Sequence, residues 1–232
     1  MACIINIETS TKVCSVALSI NGVTVFNEES YEGPSHAVSL GLYVEKALSE
    51  AKSRGFLPDA VAVSSGPGSY TGLRIGVSLA KGICFGYSIP IISVPTLKIM
   101  AHTIMNKQND KEALYYPMLD ARRMEVYSAV FKGDGTELRE TKAEVIDTDF
   151  LKDMPADKTI YLFGDRSDKC KDYVSSANVV LLNGIVPLAT NMAALAEEAF
   201  QKNEIHDAAY FEPFYLKEFQ ATVAKNKVLG NS

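Results

Sequence analysis

The chain has 232 residues, of which 47% are hydrophobic and 22% are charged, the composition of an ordinary soluble globular protein with two small lobes or one larger domain. Its formal net charge of −5 argues against extensive direct contact with nucleic acid, because each phosphate contact needs a lysine or an arginine. No apolar run reaches the ~20 residues of a membrane span, and no basic segment followed by a long apolar one opens the sequence, so we expect a cytoplasmic protein without membrane segments.

The first half of the sequence predicts three strands followed by alternating helices and strands. Alternating apolar residues predict strands at 4–8, 13–20 and 23–26. Asn21-Gly22 separates the last two strands and is a strong hairpin signal, because both residues tolerate positive φ. We then expect a helix at 36–54, a strand at 60–65, a helix at 72–87, a strand at 89–93 and a helix at 95–106.

The second half begins the same order again. It predicts strands at 115–120 and 125–131, a turn at 133–135 that leads to a third strand, a strand at 159–163 and a helix at 188–202, with irregular stretches at 147–157 and 165–183. Two successive β-β-β-α-β-α units predict an α/β protein with a duplicated, ribonuclease-H-like, two-lobed fold and mixed sheets. A polar segment at 106–112 fits a linker, so we place the lobes at 1–108 and 109–232. We expect the C-terminal segment to pack back on the first lobe and to end in a frayed tail.

A glycine-rich segment, SSGPGSYTGLRIG at 64–76, follows a short apolar strand and opens a helix. In such a turn backbone N–H groups converge on a ligand or a partner. The string GPGSYTGLRIG, together with IINIETSTKVCSVALS and DARRMEVYSAVF, resembles the bacterial TsaB family, formerly YeaZ, over the first 131 residues. The resemblance implies the fold of the actin, sugar kinase and Hsp70 superfamily. It also implies a cytoplasmic subunit of the machinery that makes threonylcarbamoyladenosine on tRNA.

Two predicted helices carry more small and apolar residues than a single covered face needs. The second helix has two ridges at four-residue spacing, Gly72, Gly76 and Ala80, and Ser78, Gly82 and Gly86. Each interior glycine costs about 0.5–1 kcal/mol relative to alanine, so several together indicate close backbone packing. On the first helix, Val38 and Leu42 lie almost opposite the core stripe. We therefore predict a helix-to-helix partner interface at Val38, Leu42, Tyr43, Gly72, Leu73, Gly76, Val77 and Ala80.

Polar residues at strand ends are candidates for nucleotide or anion binding. Glu8 ends the first strand, and Asp120 occupies the matching place in the second half. In phosphoryl-transfer members of the superfamily a carboxylate here orients metal-bound water, and hydroxyls of the next turn hold phosphate. The alternative is a solvated Glu8 and an Asp120 held in its own turn near Arg122 or Arg123. The candidate set is Glu8, Thr9, Ser10, Gly66, Gly68, Ser69, Arg74 and Asp120.

The sequence lacks the common signatures of an active site. The histidines His36, His102 and His206 are far apart and form no His-x-x-x-His metal pair. The four cysteines have no metal-like spacing and are expected to be buried thiols, and no GxSxG elbow occurs. We therefore predict no catalytic residue and no metal site. FEPFYLKE near the end resembles a family element, but Lys217 stands where the family has an arginine, which weakens any guanidinium contact there.

The exposed helices and the missing metal ligands predict a non-catalytic, partner-binding subunit, and the resemblance implies that it binds and stabilises a TsaD-like catalytic paralogue in a heterodimer. The resemblance also implies a TsaE-like ATPase as a partner, and it leaves open whether the isolated protein forms a homodimer. The net charge of −5 predicts tRNA contact only through other subunits. The resemblance implies no required cofactor, with at most weak ATP or ADP and magnesium at the subunit interface. The main alternative is a stand-alone phosphotransferase or ATPase that uses Glu8 and Asp120 with magnesium. A ribonuclease-H-like nuclease is disfavoured by the acidic composition and the lack of a fuller carboxylate cluster.

Overall fold

The computed structural model describes residues 2–32, 36–165, 167–174 and 177–217. The first half forms β1 (Cys3–Glu8), β2 (Cys14–Ile20), β3 (Val23–Ser30), α1 (His36–Ser53), β4 (Ala60–Ser64), α2 (Tyr70–Tyr87), β5 (Ile91–Val94) and α3 (Thr96–Gln108). The second half forms β6 (Leu114–Asp120), β7 (Glu125–Lys132), β8 (Glu137–Val145), β9 (Ile160–Gly164), β10 (Val179–Leu182) and α4 (Ala193–Gln201), with 3₁₀ helices at Ser167–Cys170 and Ala189–Met192.

Each half supplies one five-stranded sheet, and the two sheets have the same topology. The orders are β3-β2-β1-β4-β5 and β8-β7-β6-β9-β10. In each sheet the first three strands are antiparallel and the last two run parallel to the first strand of their half. The predicted α/β, duplicated ribonuclease-H-like fold with mixed sheets is therefore confirmed.

The second half departs from the first between its strands. The prediction of an irregular stretch at 165–183 is wrong at its end, because β10 lies there. This strand has four residues, and it pairs in parallel with β9. Across the described residues that connect β8 to β9 and β9 to β10, one 3₁₀ helix stands where the first half has α1 and α2.

The first sheet is covered on both faces, which explains why all six residues of β1 are buried. Ile5 and Ile7 pack in a cluster with residues of α1 and α2. Ile4, on the other face, packs in a cluster with residues of α3 and α4. Strand β1 therefore contributes side chains to two cores, one on each face of the sheet.

Helices α3 and α4 each pack on the sheet of the other half. Leu97 and Met100 of α3 share a cluster with Tyr115 of β6. Leu195 of α4 shares a cluster with Ile4 of β1 and with α3. The two helices therefore lie between the sheets and join them.

The chain between the halves is short, and the C-terminal segment returns to the first half. Helix α3 ends at Gln108 and is capped by Asn109, which has a left-handed φ of 52°, and β6 begins at Leu114. We keep the proposed division and call 1–108 the first lobe and 109–232 the second lobe. His206 pairs with Ile91 in an antiparallel bridge, and Phe211 lies in the core beneath α1 and α2. The predicted frayed tail lies beyond residue 217, outside the described residues.

Among the helices of the described ranges, none has both the length and the apolar character needed to cross a membrane.

Candidate functional site

The glycine-rich segment packs against the turn that follows β1. A Cβ atom added at Gly68 would lie 2.5 Å from the carbonyl oxygen of Ser10. A Cβ added at Gly72 would collide with the carbonyl oxygen of Thr9, and a Cβ added at Gly76 would collide with the Thr9 Oγ1. The Thr9 hydroxyl also donates a hydrogen bond to the Gly72 carbonyl at 2.8 Å. The glycines are therefore needed for close contact within the chain itself.

This packing corrects most of the predicted partner interface. Five of its residues are buried by the protein's own β1, β4 and the turn after β1: Gly72, Leu73, Gly76, Val77 and Ala80. Tyr43 is half-buried and packs against the same core. The helix presents its first small ridge to the sheet, so these residues do not form an outer surface. Val38 and Leu42 remain exposed, at 82% and 51%.

The second small ridge of α2 faces outward. Ser78, Gly82 and Gly86 are exposed, and no described atom lies within 4 Å of a Cβ added at either glycine. Phe85 stands beside this ridge with 89% of its surface exposed. We define the docking face as this ridge together with the exposed pair of α1: Val38, Leu42, Ser78, Gly82, Phe85 and Gly86.

A groove separates the two helices that carry the docking face. Its volume is about 400 Å³, and its walls include Val44 and Leu48 of α1 and Leu79 and Ile83 of α2. Leu57, in the loop after α1, also lines it and is 69% exposed. Apolar side chains thus continue from the docking face into the space between the helices.

The outward ridge, Ser78, Gly82 and Gly86, is not part of the interface predicted from the sequence. The available signal was the position of Phe85, three residues after Gly82 and seven after Ser78, which places all three on one helical face. The sequence offered no means of deciding which ridge faces the sheet, because both have the same spacing.

Glu8 is enclosed at the carboxyl end of β1. It is 0% exposed, and its Oε1 accepts a hydrogen bond from the Ser10 backbone N–H at 2.8 Å. Within the described part of the chain its Oε2 and the Ser10 hydroxyl have no hydrogen-bond partner. Burial raises the pKa of Glu8 from its ordinary 4.5 to about 7, and hydrogen bonding from Ser10 lowers it only in part. The expectation of a solvated Glu8 is therefore wrong.

The other candidates for anion binding do not share one open site with Glu8. Thr9, Ser10 and Gly66 are buried, Gly68 is half-buried, and Ser69 and Arg74 are exposed. The Ser69 hydroxyl caps α2 by accepting a hydrogen bond from the Gly72 N–H at 3.2 Å. The Arg74 guanidinium lies 4.3 Å from the Tyr70 ring centroid, and its Nε donates to the Tyr215 hydroxyl at 3.3 Å. Side chains of the protein thus occupy this helix terminus.

Asp120 is held within its own turn, as the structural alternative predicted. Its Oδ1 accepts a hydrogen bond from the Arg122 N–H at 3.2 Å and lies 2.5 Å from Lys169 Nζ. Lys169 also donates to the carbonyl of Arg123 at 2.5 Å. Sequence reasoning missed Lys169, because it lies 49 residues from its partner and carries no local signal. Across the described ranges no group of three or more His, Cys, Asp or Glu side chains is arranged to hold a metal ion.

The four cysteines are buried thiols, as expected. Burial raises the pKa of Cys3, Cys14 and Cys84 to about 11, so these thiols are unreactive near neutral pH. His206 pairs with β5, and burial lowers the pKa of His102 on α3. The side chain of His36 lies outside the described residues.

Comparison with known proteins identifies the family. Residues 31–229, most of the chain, match the model of the family described as TsaD: tRNA N6-adenosine threonylcarbamoyltransferase. The chain belongs to this family. It is 28% identical over 235 residues to the tRNA threonylcarbamoyladenosine biosynthesis protein TsaB of Escherichia coli K12, an alignment that covers 98% of each chain. The resemblance to the TsaB (YeaZ) family is therefore confirmed.

Further members of the family are similar in sequence or in structure. YeaZ from Pseudomonas aeruginosa has a TM-score of 0.78 and 25% identity, with 93% of this chain and all of the other covered. The tRNA N6-adenosine threonylcarbamoyltransferase of Paracoccus denitrificans is 38% identical over 85 residues, which is 37% of this chain and 23% of the longer enzyme. The proteins similar to this chain thus include one named as a transferase, matched over a minor part of its length, and the Escherichia coli TsaB protein, matched over 98% of its length.

Proposed function

We propose that this protein is a non-catalytic subunit of the machinery that makes N6-threonylcarbamoyladenosine in tRNA. In this role it binds a TsaD-like catalytic subunit through the docking face and stabilises it. The similarity to proteins named for threonylcarbamoyladenosine biosynthesis supports the pathway. The exposed, small-residue face of α2 supports the mode of action.

The docking face is the observation that carries the proposal. Gly82 and Gly86 each weaken the helix by roughly 0.5–1 kcal/mol relative to alanine, and neither accommodates a close neighbour from another described element. Phe85, 89% exposed among the described residues, would lose water-exposed apolar surface against a bound partner. A bare ridge beside an exposed aromatic ring suits a partner helix, whose backbone can approach the glycines while the ring fills a pocket on the partner.

The polar surroundings of the docking face fit a specific interface. On α1 the exposed stripe of Val38 and Leu42 continues into Glu45, Ser49 and Lys52. Protein interfaces commonly have an apolar centre with a polar, solvent-accessible rim. We assign Val38 and Leu42 to the centre of the contact and the polar residues of the same stripe to its rim.

The surroundings of Glu8 and Asp120 support a subunit without catalytic activity of its own. Glu8 is enclosed by its own turn, and Asp120 is engaged by Lys169. Neither is presented as a ligand to a shared ion. A TsaE-like ATPase as a second partner, a homodimer in isolation, and weak ATP or ADP with magnesium at the subunit interface stay predictions.

Co-purification with the TsaD-like catalytic subunit of the same organism tests the proposal. We expect Leu42→Glu and Gly82→Leu to abolish capture of the partner while the thermal midpoint of the isolated protein stays close to that of the wild type. Leu138→Glu is the matched control, since Leu138 is 50% exposed on β8, far from α1 and α2 in the fold. Capture that survives both docking-face variants, or is lost equally in the control, contradicts the proposal.

ATP turnover by the isolated protein separates the proposal from the phosphotransferase alternative. The proposed subunit has little turnover alone. Turnover that is substantial in the wild type and lost in Glu8→Gln would instead support the alternative.

A further inference from the structure

The C-terminal segment 211–217 runs along the first lobe before it reaches the second. Phe211 is 8% exposed and packs in the core beneath α1 and α2. Three residues later the Phe214 N–H donates a hydrogen bond to the Ser65 carbonyl at 2.7 Å. The backbone here lies so close to Gly66 that an added Cβ would stand 2.5 Å from the Phe214 carbonyl oxygen. The segment is thus anchored on the glycine-rich turn.

Tyr215 fixes the segment to the start of α2. Its ring centroid lies 4.9 Å from that of Tyr70, and its hydroxyl accepts the hydrogen bond from Arg74 Nε. Arg74 in turn lies over the Tyr70 ring. Three side chains therefore form one stacked group on the first lobe.

Two residues further on, the contacts change lobe. Lys217 Nζ lies 2.5 Å from Glu125 Oε2 and 5.9 Å from the Tyr127 ring centroid. Both partners belong to β7 of the second sheet. Residues 215 and 217 thus contact different lobes.

This tie is separate from the other connection between the lobes. Helices α3 and α4 join the sheets through the apolar clusters that lie between them. The C-terminal segment instead touches turn-forming ends of elements: Ser65 follows β4, Tyr70 begins α2 and Glu125 begins β7. Rotation of one lobe about the α3 and α4 layer would separate these ends unless the segment held them together.

We propose that residues 214–217 form an interlobe latch that sets the angle between the two lobes. The latch holds the first lobe through the Phe214 hydrogen bond and the contacts of Tyr215, and it holds the second lobe through the Lys217 ion pair. Since both members of the ion pair are more than one third exposed, the latch can release without unfolding either lobe. Because Tyr215 contacts Arg74, movement of the second lobe would be transmitted to α2.

Distance measurements between spin labels on the two lobes test the latch in the isolated, full-length protein. Cysteines introduced at Asn27 of β3 and Glu140 of β8 are exposed, whereas the four native cysteines are buried. Dilution with unlabelled protein removes distances between copies. We expect one narrow distribution in the wild type and a broader one, extended to longer distances, in the double variant Tyr215→Ala/Lys217→Glu.

A charge exchange separates the latch from general damage. Lys217→Glu alone should broaden the distribution, and adding Glu125→Lys should restore it. Lys152→Glu, which removes an exposed ion pair within the second lobe, should leave it unchanged. An unchanged distribution in Tyr215→Ala/Lys217→Glu, or a failure of Glu125→Lys to restore the narrow one, overturns the proposal. Since no partner is present, this outcome is independent of the proposed function.

Discussion

Helix α2 carries two ridges of small residues with the same four-residue spacing and opposite surroundings. The inner ridge, with Gly72 and Gly76, meets the backbone and hydroxyl of Thr9. The outer ridge, with Gly82 and Gly86, meets no described atom within 4 Å of an added Cβ. Spacing therefore indicates close backbone contact without identifying what makes the contact. The inner ridge is explained by folding of the chain, and the outer ridge is available to another molecule.

The largest effect is expected when a side chain is added to the inner ridge. Gly76→Leu places a side chain where Thr9 Oγ1 already lies, so α2 must move away from the turn after β1. We expect a loss of about 3 kcal/mol or more in the free energy of unfolding, typical of severe overpacking. Urea denaturation measures this loss. A midpoint close to that of the wild type would show that the turn yields easily, and the inner ridge would then not be a fixed contact.

The same turn encloses Glu8, so the pH dependence of stability reports on the inner ridge. The folded pKa of about 7 lies above the ordinary 4.5, and the folded state therefore binds more protons than the unfolded state between these values. Stability contributed by this group is lost as pH rises through that range. From about pH 5 to about pH 8, Glu8→Gln should gain on the order of 2 kcal/mol relative to the wild type. A constant difference between the two proteins would mean that Glu8 is not desolvated.

Removing the aromatic ring beside the outer ridge should weaken association and leave the fold intact. Phe85→Ala deletes a side chain that is 89% exposed, so the free energy of unfolding should change little. Binding to the TsaD-family partner should fall by about tenfold or more, the loss expected for an aromatic anchor. Titration calorimetry measures the affinity. Equal affinities for the variant and the wild type would place the contact elsewhere.

The smallest effect is expected for a single methyl group added to the outer ridge. Gly82→Ala should stabilise the isolated protein by about 0.5–1 kcal/mol, because alanine is the better helix former and space is open around Gly82. The same change should weaken partner binding, since a methyl group prevents closest approach of the backbones. Thermal unfolding and partner titration of one sample check both effects. Stabilisation without weaker binding would show that the glycine is not needed at the interface.

Much of the fold could be predicted from the sequence, because its signals are local. Asn21-Gly22 marks the hairpin between β2 and β3, and alternating apolar residues mark the strands around it. The repeated order of elements predicts the duplication. Strand β10 was missed because it is an unalternating apolar run, Val179–Leu182, at the end of a stretch without other regular signals.

The candidate site was less predictable, since it depends on contacts between distant segments. The exposure of Val38 and Leu42 follows from the helical period of α1 alone. The orientation of α2 depends on the turn after β1, 63 residues away from Gly72. The pairing of Asp120 with Lys169 and that of Glu125 with Lys217 likewise join positions without a common local pattern.

Because α3 packs on the second sheet and α4 on the first, the two halves of the chain depend on each other for their cores. Severing the link after Gln108 would leave the first sheet without Leu195 and its neighbours, and the second without Leu97 and Met100. Each fragment made alone would expose a wide apolar layer and aggregate, whereas fragments synthesised together could complete each other. The duplication is therefore visible in the topology but does not divide the molecule into units that fold independently.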